Sequence, residues 1–204
     1  MNSETSPMDG RVLRGERNTK AIVDALLTLY RRGSFSPTIK EVAEEEGVTA
    51  RSIYHRFPDM QSLAAELVRS NWKANEALYD PPTPEGGLAQ RAAAFIDQRA
   101  MLYEEVAPLR RAALANMHLS SAIRRQQGRL ATLARRQVAR VFAAELAALP
   151  RDGREELLHV LDLLTSWESW ERLRRWQRLK VGEAREVLLR LLLARLSQAA
   201  APRR

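Results

Sequence analysis

The chain has 204 residues, 45% of them hydrophobic, and a formal net charge of +8 at neutral pH. It is long enough to bury a sizeable core, as one compact unit or as a small domain plus a larger one. The absence of cysteine excludes a disulfide framework and a thiolate metal site. Abundant Ala, Leu, Arg and Glu with few β-branched runs favour an all-α fold, and the basic excess makes a polyanion an expected partner.

The first residues predict an arm and then a helix. Residues 1–14 are polar and lack periodicity, so we expect a flexible N-terminal arm. A helix over 16–32 follows, with Ile22, Leu26 and Tyr30 on one stripe and Gly33 at its end.

The arm has no apolar core like that of a signal peptide, and the most apolar run, 187–196, is far short of the roughly 20 residues of a membrane span. We expect a cytoplasmic protein.

The segment from residue 38 to residue 63 carries the densest set of local signals. Thr38 and Glu41 have the spacing of a capping box at the start of a helix. Gly47 can take the left-handed conformation that ends this helix. Thr49 is an N-cap residue for a second helix over about 50–56. A helix that restarts two residues after a glycine turn has helix-turn-helix spacing.

The second short helix has an inner and an outer side. Ile53 and Phe57, four residues apart, are predicted to face the core. Residues near the N-terminus of such a helix meet base edges in the major groove. The outward-facing candidates for DNA contact are Ala50, Arg51, Ser52, Tyr54 and His55.

These residues resemble the tetracycline-repressor-like (TetR/AcrR) family of transcriptional regulators. The matching residues lie between positions 38 and 63 and are Thr38, Val42, Ala43, Gly47, Val48, Thr49, Ile53, Tyr54, Phe57 and Leu63. The resemblance implies that Thr38, Thr49 and Tyr54 contact phosphates, and that the remaining outward-facing residues, Ala50, Arg51, Ser52 and His55, face bases. It also implies a repressor that a small ligand releases from DNA. Met60 stands where the family usually has a lysine.

Two other interpretations of the chain stay open. The segment could be a pair of surface helices in another all-helical protein, with Tyr54 as a packing aromatic. A nonspecific nucleic-acid-binding helical protein could instead use the arginine-rich, acid-free stretch 106–144. Solvated helix faces are the simpler explanation of that stretch. Its arginines are Arg110, Arg111, Arg124, Arg125, Arg129, Arg135, Arg136 and Arg140.

The remainder of the chain predicts a larger helical domain. We expect about nine helices in all, with a helix-turn-helix DNA-binding domain over 15–58 and a ligand-sensing and dimerisation domain over 59–204. After the helix-turn-helix segment, helices are predicted at about 60–79, 88–105, 108–119, 121–149, 153–180 and 182–200. Because the last two are apolar on more than one side, we expect a homodimer through residues 153–200. The resemblance implies the same pairing. The expected interface residues are Leu157, Leu161, Leu164, Leu188 and Leu192.

The larger domain also has soft apolar residues of the kind that line small-molecule pockets. Each of them alone is more often plain core, and a buried histidine is more often satisfied within the core than a ligand contact. The ligand-binding candidates are Phe95, Met101, Tyr103, Met117, His118, Trp167 and Trp170.

Catalysis has no motif to support it. The three histidines, His55, His118 and His159, are scattered, and no glycine-rich phosphate loop or nucleophile elbow occurs. We expect no enzyme activity, no metal and no cofactor. The expected partners are a pseudo-palindromic duplex DNA, a small-molecule effector and a second copy of the chain.

Overall fold

The computed structural model of the chain describes residues 7–80, 83–119 and 121–200. The regular elements in these residues are helical, without a strand, which confirms the all-α expectation. The chain divides into two compact units. The first takes in the chain up to residue 74 together with 106–123, and the second takes in 75–105 and the chain from residue 124 onward.

The first unit contains the N-terminal helices. These are α1 (Pro7–Arg31), α2 (Ile39–Glu46), α3 (Ala50–Tyr54) and α4 (Met60–Ala74). Of the predicted flexible arm, residues 1–6 lie outside the described residues, whereas 7–14 are helical. The helix α1 thus extends at least as far toward the N-terminus as Pro7, beyond the predicted start at residue 16.

The core of the first unit joins these four helices. Leu26, Val42, Ile53 and Leu63 come from different helices and are fully buried. Leu67 is also buried there, so α4 groups with the first unit although the sequence placed the domain boundary at residue 58. The leucine spacing of α4 supplies one apolar face, and that face needs the cover that α1 gives it.

The second unit is built from the remaining helices. In chain order they are α5 (Glu76–Tyr79), α6 (Leu88–Ala115), α7 (Ser121–Val141), α8 (Ala143–Ala147), α9 (Arg151–Leu164), α10 (Trp167–Glu171) and α11 (Val181–Ala200). Residues 106–115 of α6 and 121–123 of α7 belong to the first unit. A π-helical turn, Arg172–Trp176, follows α10.

Several helix boundaries differ from the sequence-based expectation. The predicted helix 60–79 is interrupted at Asn75, and the predicted helix 153–180 is interrupted where Ser166 caps α10. The helix α6, in contrast, continues through Pro108. A proline inside a helix removes one backbone hydrogen bond, but Val106 and Ala107 are buried beside it, and this packing keeps the helix continuous.

The leucines predicted for a dimer interface are mostly buried within the chain itself. The helix α9 packs against α11, and Leu157, Leu161, Leu188 and Leu192 have at most 3% of their surface exposed. Leu164 is half-buried. Helical periodicity identified the apolar faces, but not which of them the chain covers itself.

No helix among the described residues is both long enough and apolar enough to cross a membrane.

Candidate nucleic-acid interface and cavity

The capping box at the start of α2 is present as predicted. The backbone N–H of Glu41 donates to the Thr38 hydroxyl at 3.2 Å, and the N–H of Thr38 donates to the Glu41 carboxylate at 2.7 Å. This backbone hydrogen bond, followed by one from the Thr38 hydroxyl, holds the pKa of Glu41 below its ordinary value. The start of α2 is thus fixed by two residues that are three positions apart.

The turn between α2 and α3 depends on a glycine in the left-handed region. Gly47 has φ 77° and ψ 29°, and the N–H of Val48 donates to the carbonyl of Ala43 at 2.9 Å. An added Cβ at Gly47 would meet nothing within 4 Å, so the requirement for glycine comes from the backbone angle and not from crowding. Val48, which follows the glycine, is 39% exposed.

The helix α3 is held by its cap and by two inward side chains. The N–H of Ser52 donates to the Thr49 hydroxyl at 3.2 Å. Ile53 is fully buried and Phe57 nearly so. The opposite side of α3 is therefore fixed in orientation relative to the core of the first unit.

The predicted DNA-contact residues are exposed to solvent, with one partial exception. Thr38, Thr49, Arg51, Ser52, Tyr54 and His55 are exposed. Tyr54 is 55% exposed, which is unusual for a ring that could pack in the core. Ala50 is half-buried and packs against the core of the first unit. The exposed side chains of α3 and of His55, which caps its end, thus supply hydroxyls, a guanidinium and an imidazole.

Two supporting residues were not found by sequence reasoning. Arg56 donates to the carbonyl of Gly15 at 2.8 Å and to the Thr19 hydroxyl at 3.1 Å, which ties the end of α3 to α1. Asn116 donates to the carbonyl of Phe35 at 2.7 Å and holds the loop that leads to α2. These pairs are 37 to 81 residues apart in sequence, so no local pattern signals them.

Three of the predicted ligand-binding aromatics form a closed cluster in the second unit. The rings of Tyr103 and Trp167 meet edge to face at 5.6 Å, and Trp170 lies beside them. The Tyr103 hydroxyl donates to the carbonyl of Thr165 at 2.9 Å, and the Trp170 indole donates to Glu104 at 2.9 Å. Buried rings with satisfied polar groups are core, and none of the three lines the cavity described next.

A cavity of about 290 Å³ lies in the second unit between α5, α6 and α7. Of the predicted ligand residues, it brings together Phe95 and Met101. Met117 and His118 are exposed in the first unit and do not line it. The complete lining is Ala77, Leu78, Pro84, Ala94, Phe95, Gln98, Met101, Gln137, Arg140 and Val141.

The polar lining residues hold the short helix α5. The side-chain amide of Gln98 donates to the carbonyl of Leu78, and that of Gln137 donates to the carbonyl of Tyr79. Because a carbonyl only accepts, each glutamine must present its NH₂ group there. Both amide oxygens are buried without a hydrogen-bond partner among the described residues. The end of α5 is thereby tied to α6 and α7.

A buried arginine, Arg99, lies against the ring of Phe95, which lines the cavity. Arg99 has 3% of its surface exposed, and its guanidinium lies 4.8 Å from the centre of the Phe95 ring. It donates to the carbonyl of Ala134 at 2.9 Å, while its Nε has no partner among the described residues. Among the described residues no ion pair of Arg99 with a carboxylate is seen, but the carboxylate of Asp162 is close enough for its pKa to be lowered by Arg99, while the Phe95 ring and the Ala134 carbonyl are the direct contacts.

The N-terminal segment matches a known family. Residues 22–67 match the model of the bacterial regulatory proteins of the tetR family. This match covers the C-terminal part of α1, all of α2 and α3, and the first half of α4.

Solved structures extend the TetR-family likeness to most of the fold. A TetR-family regulator from Streptomyces coelicolor superposes with a TM-score of 0.67 at 19% identity, covering 91% of this chain and 82% of that one. Another, from Marinobacter aquaeolei, has a TM-score of 0.65 at 14% identity, with 90% and 91% covered. At such identities the likeness concerns the fold. No curated protein sequence matches the chain.

Proposed function

We propose that this chain is a sequence-specific DNA-binding transcriptional regulator that acts as a homodimer in the cytoplasm. We further propose that it is a repressor, released from a palindromic operator by a small apolar or amphipathic ligand. The observation that carries the proposal is the capped turn at Gly47, which leaves Arg51, Ser52, Tyr54 and His55 exposed over the buried Ile53. A TetR-family domain at the same residues supports it.

The proposed DNA contacts divide into two kinds. Hydroxyls of Thr38, Thr49 and Tyr54 contact phosphates and so position the domain without reading sequence. Arg51 and His55 face base edges, and an arginine can bind guanine through two hydrogen bonds. Ser52 and Ala50 complete the base-facing set, with the half-buried Ala50 limited to apolar contact.

The proposed dimer uses the outer face of α9 and α11. Leu163 is 67% exposed and Leu191 is 48% exposed, and Val160 and Val187 lie near them on the same helix faces. Pairing these faces of two chains forms a four-helix interface around a two-fold axis. Two reading helices then meet half-sites roughly 34 Å apart.

The proposed effector site is the cavity between α5, α6 and α7. Its wall is mostly apolar, with few polar groups, as in small-molecule sites generally. The chain passes directly from α4 through Asn75 into α5, which the cavity contacts through Ala77 and Leu78. A coupling of about 1–3 kcal/mol between the cavity and DNA binding changes operator occupancy five- to 150-fold.

Selection of bound duplexes from a random pool by the purified protein tests the DNA-binding proposal. We expect a palindrome, bound selectively at about 0.15 M salt. Equal competition by any duplex at that salt would instead favour a nonspecific nucleic-acid-binding protein.

Light scattering tests the dimer with a matched pair of variants. Leu163→Glu should give a folded monomer, because it places a charge in the proposed interface. Ala131→Glu places the same charge at an exposed position of α7 and should leave the dimer intact. A wild-type monomer at micromolar concentration, or a dimer that survives Leu163→Glu, contradicts this interface.

A further inference from the structure

We propose that the cavity binds an organic anion with an apolar body, such as an alkyl carboxylate, whose charged group contacts Arg140. This inference rests on the proposed function, because it takes the cavity to be the effector site. Arg140 is the charged side chain in the cavity lining, and no aspartate or glutamate lines it among the described residues. Phe95, Met101, Leu78 and Val141 supply an apolar surface for the rest of the ligand.

Arg140 is placed where a ligand can reach it. Its side chain is 43% exposed, and its Nη2 atom lies 2.9 Å from a carboxylate oxygen of Asp80, which is 55% exposed. A guanidinium has five N–H donors in a planar fork that matches a carboxylate, and it binds such a group with directional hydrogen bonds. A ligand carboxylate would share or replace the contact that Asp80 now makes.

The buried positive charge of Arg99, next to Phe95, favours the same class of ligand. Arg99 lies over the Phe95 ring, donates a hydrogen bond to the backbone carbonyl of Ala134, and has Asp162 as a charged neighbour. A charge that is buried away from water is weakly screened, so its field reaches further than that of a surface arginine. The two arginines together stabilise an anion in the cavity and destabilise a protonated amine.

Gln98 and Gln137 indicate an alternative class of ligand, one that carries hydrogen-bond donors. The amide oxygens of Gln98 and Gln137 are acceptors without a partner, and a ligand that carries N–H or O–H donors would satisfy them. Both oxygens are shielded from solvent, however, and their NH₂ groups are engaged by the carbonyls of α5. A donor ligand could reach them only after α5 moves, whereas Arg140 is accessible as the structure stands.

Calorimetric titration with three probes of the same chain length tests the charge preference. The probes are decanoate, decan-1-ol and decylamine, each below its micellar concentration and without DNA present. We expect decanoate to bind and decylamine to bind at least about tenfold more weakly, as the loss of a charge-assisted hydrogen bond implies.

Variants of the neighbouring arginines identify the contact. Arg140→Gln should weaken decanoate binding about tenfold or more while leaving decan-1-ol binding unchanged. Arg136→Gln is the matched control, since it removes the same charge from an exposed position one turn earlier on α7 and does not line the cavity. Asp80→Asn should tighten decanoate binding, because it removes the competing carboxylate.

Three results overturn the inference: no binding of decanoate, equal binding of the three probes, or equal effects of Arg140→Gln and Arg136→Gln. None of them bears on the selection of a palindromic duplex, which tests the proposed function separately. Conversely, a chain that selects no duplex but binds decanoate through Arg140 retains the anion site and loses its assigned role in regulation.

Discussion

Replacement of Gly47 by alanine isolates the cost of the left-handed turn between α2 and α3. An added Cβ meets nothing within 4 Å, so no neighbouring atom has to move. The residue keeps φ near 77°, where a side chain costs about 1–2 kcal/mol because its Cβ approaches the following carbonyl oxygen. We therefore expect Gly47→Ala to destabilise the first unit by about this amount.

Gly128→Ala is a matched control for which the expected change in stability has the opposite sign. It lies exposed within α7, and an added Cβ there also meets nothing within 4 Å. Alanine in a helix interior is about 0.5–1 kcal/mol more favourable than glycine. Gly128→Ala should therefore stabilise the chain, although both substitutions add the same methyl group in open space.

Hydrogen exchange at the amides of α2 and α3, together with thermal unfolding, measures the difference. Each kcal/mol corresponds to about 2–4 °C in the unfolding temperature of a domain of 150–250 residues. Operator affinity should fall with Gly47→Ala, because the turn sets the direction of α3, and should not change with Gly128→Ala. A neutral or stabilising Gly47→Ala would refute the reasoning from backbone angle.

The remaining predictions concern the reading helix and two carboxylates. Tyr54→Phe should weaken binding to every duplex alike, whereas Arg51→Ala should relax the preference at one operator position by about 1–3 kcal/mol; competition gel shifts measure both. Glu104→Gln should lower thermal stability by about 1 kcal/mol, because this carboxylate accepts hydrogen bonds from an indole and a guanidinium that hold the π-helical turn. Burial raises the pKa of Asp162 despite the nearby Arg135, so Asp162→Asn should raise the unfolding temperature at pH 7.

The sign for Asp162 follows from linkage. A carboxyl with a raised folded-state pKa opposes folding once it is ionised, so the gain from asparagine should appear as pH rises through the interval above its ordinary value of 3.8 and should vanish below it. A gain that is independent of pH would point to packing instead. For the reading helix, identical behaviour of Tyr54→Phe and Arg51→Ala would contradict their separate roles.

Features set by neighbouring residues could be predicted from the sequence. The capping box at Thr38, the glycine turn at Gly47 and the cap at Thr49 each depend on residues within three or four positions. The outward side of α3 followed from the spacing of Ile53 and Phe57, and both are buried. The contacts of the outer residues with DNA remain predictions.

Features that depend on distant residues could not be predicted in the same way. The glutamine contacts that hold α5 join residues 20 and 58 positions apart, and the contact between Glu104 and Trp170 spans 66. Pro108 suited the first position of a new helix over 108–119, but burial of its neighbours overrode that local preference and α6 runs through it. Apolar spacing likewise marked Leu157 and Leu188 without telling whether the chain or a second copy would cover them.

The apolar faces of α9 and α11 pack against each other within one chain. Folding and assembly are therefore separate steps. The single chain already buries Leu157, Leu161, Leu188 and Leu192, so association in the proposed dimer would add to an existing core. We expect the unfolding temperature to vary only weakly with protein concentration, unlike that of obligate dimers whose protomers cannot fold alone. Newly made protomers would then stay folded at low concentration. The number of paired DNA-binding domains in a cell would follow the expression level through mass action.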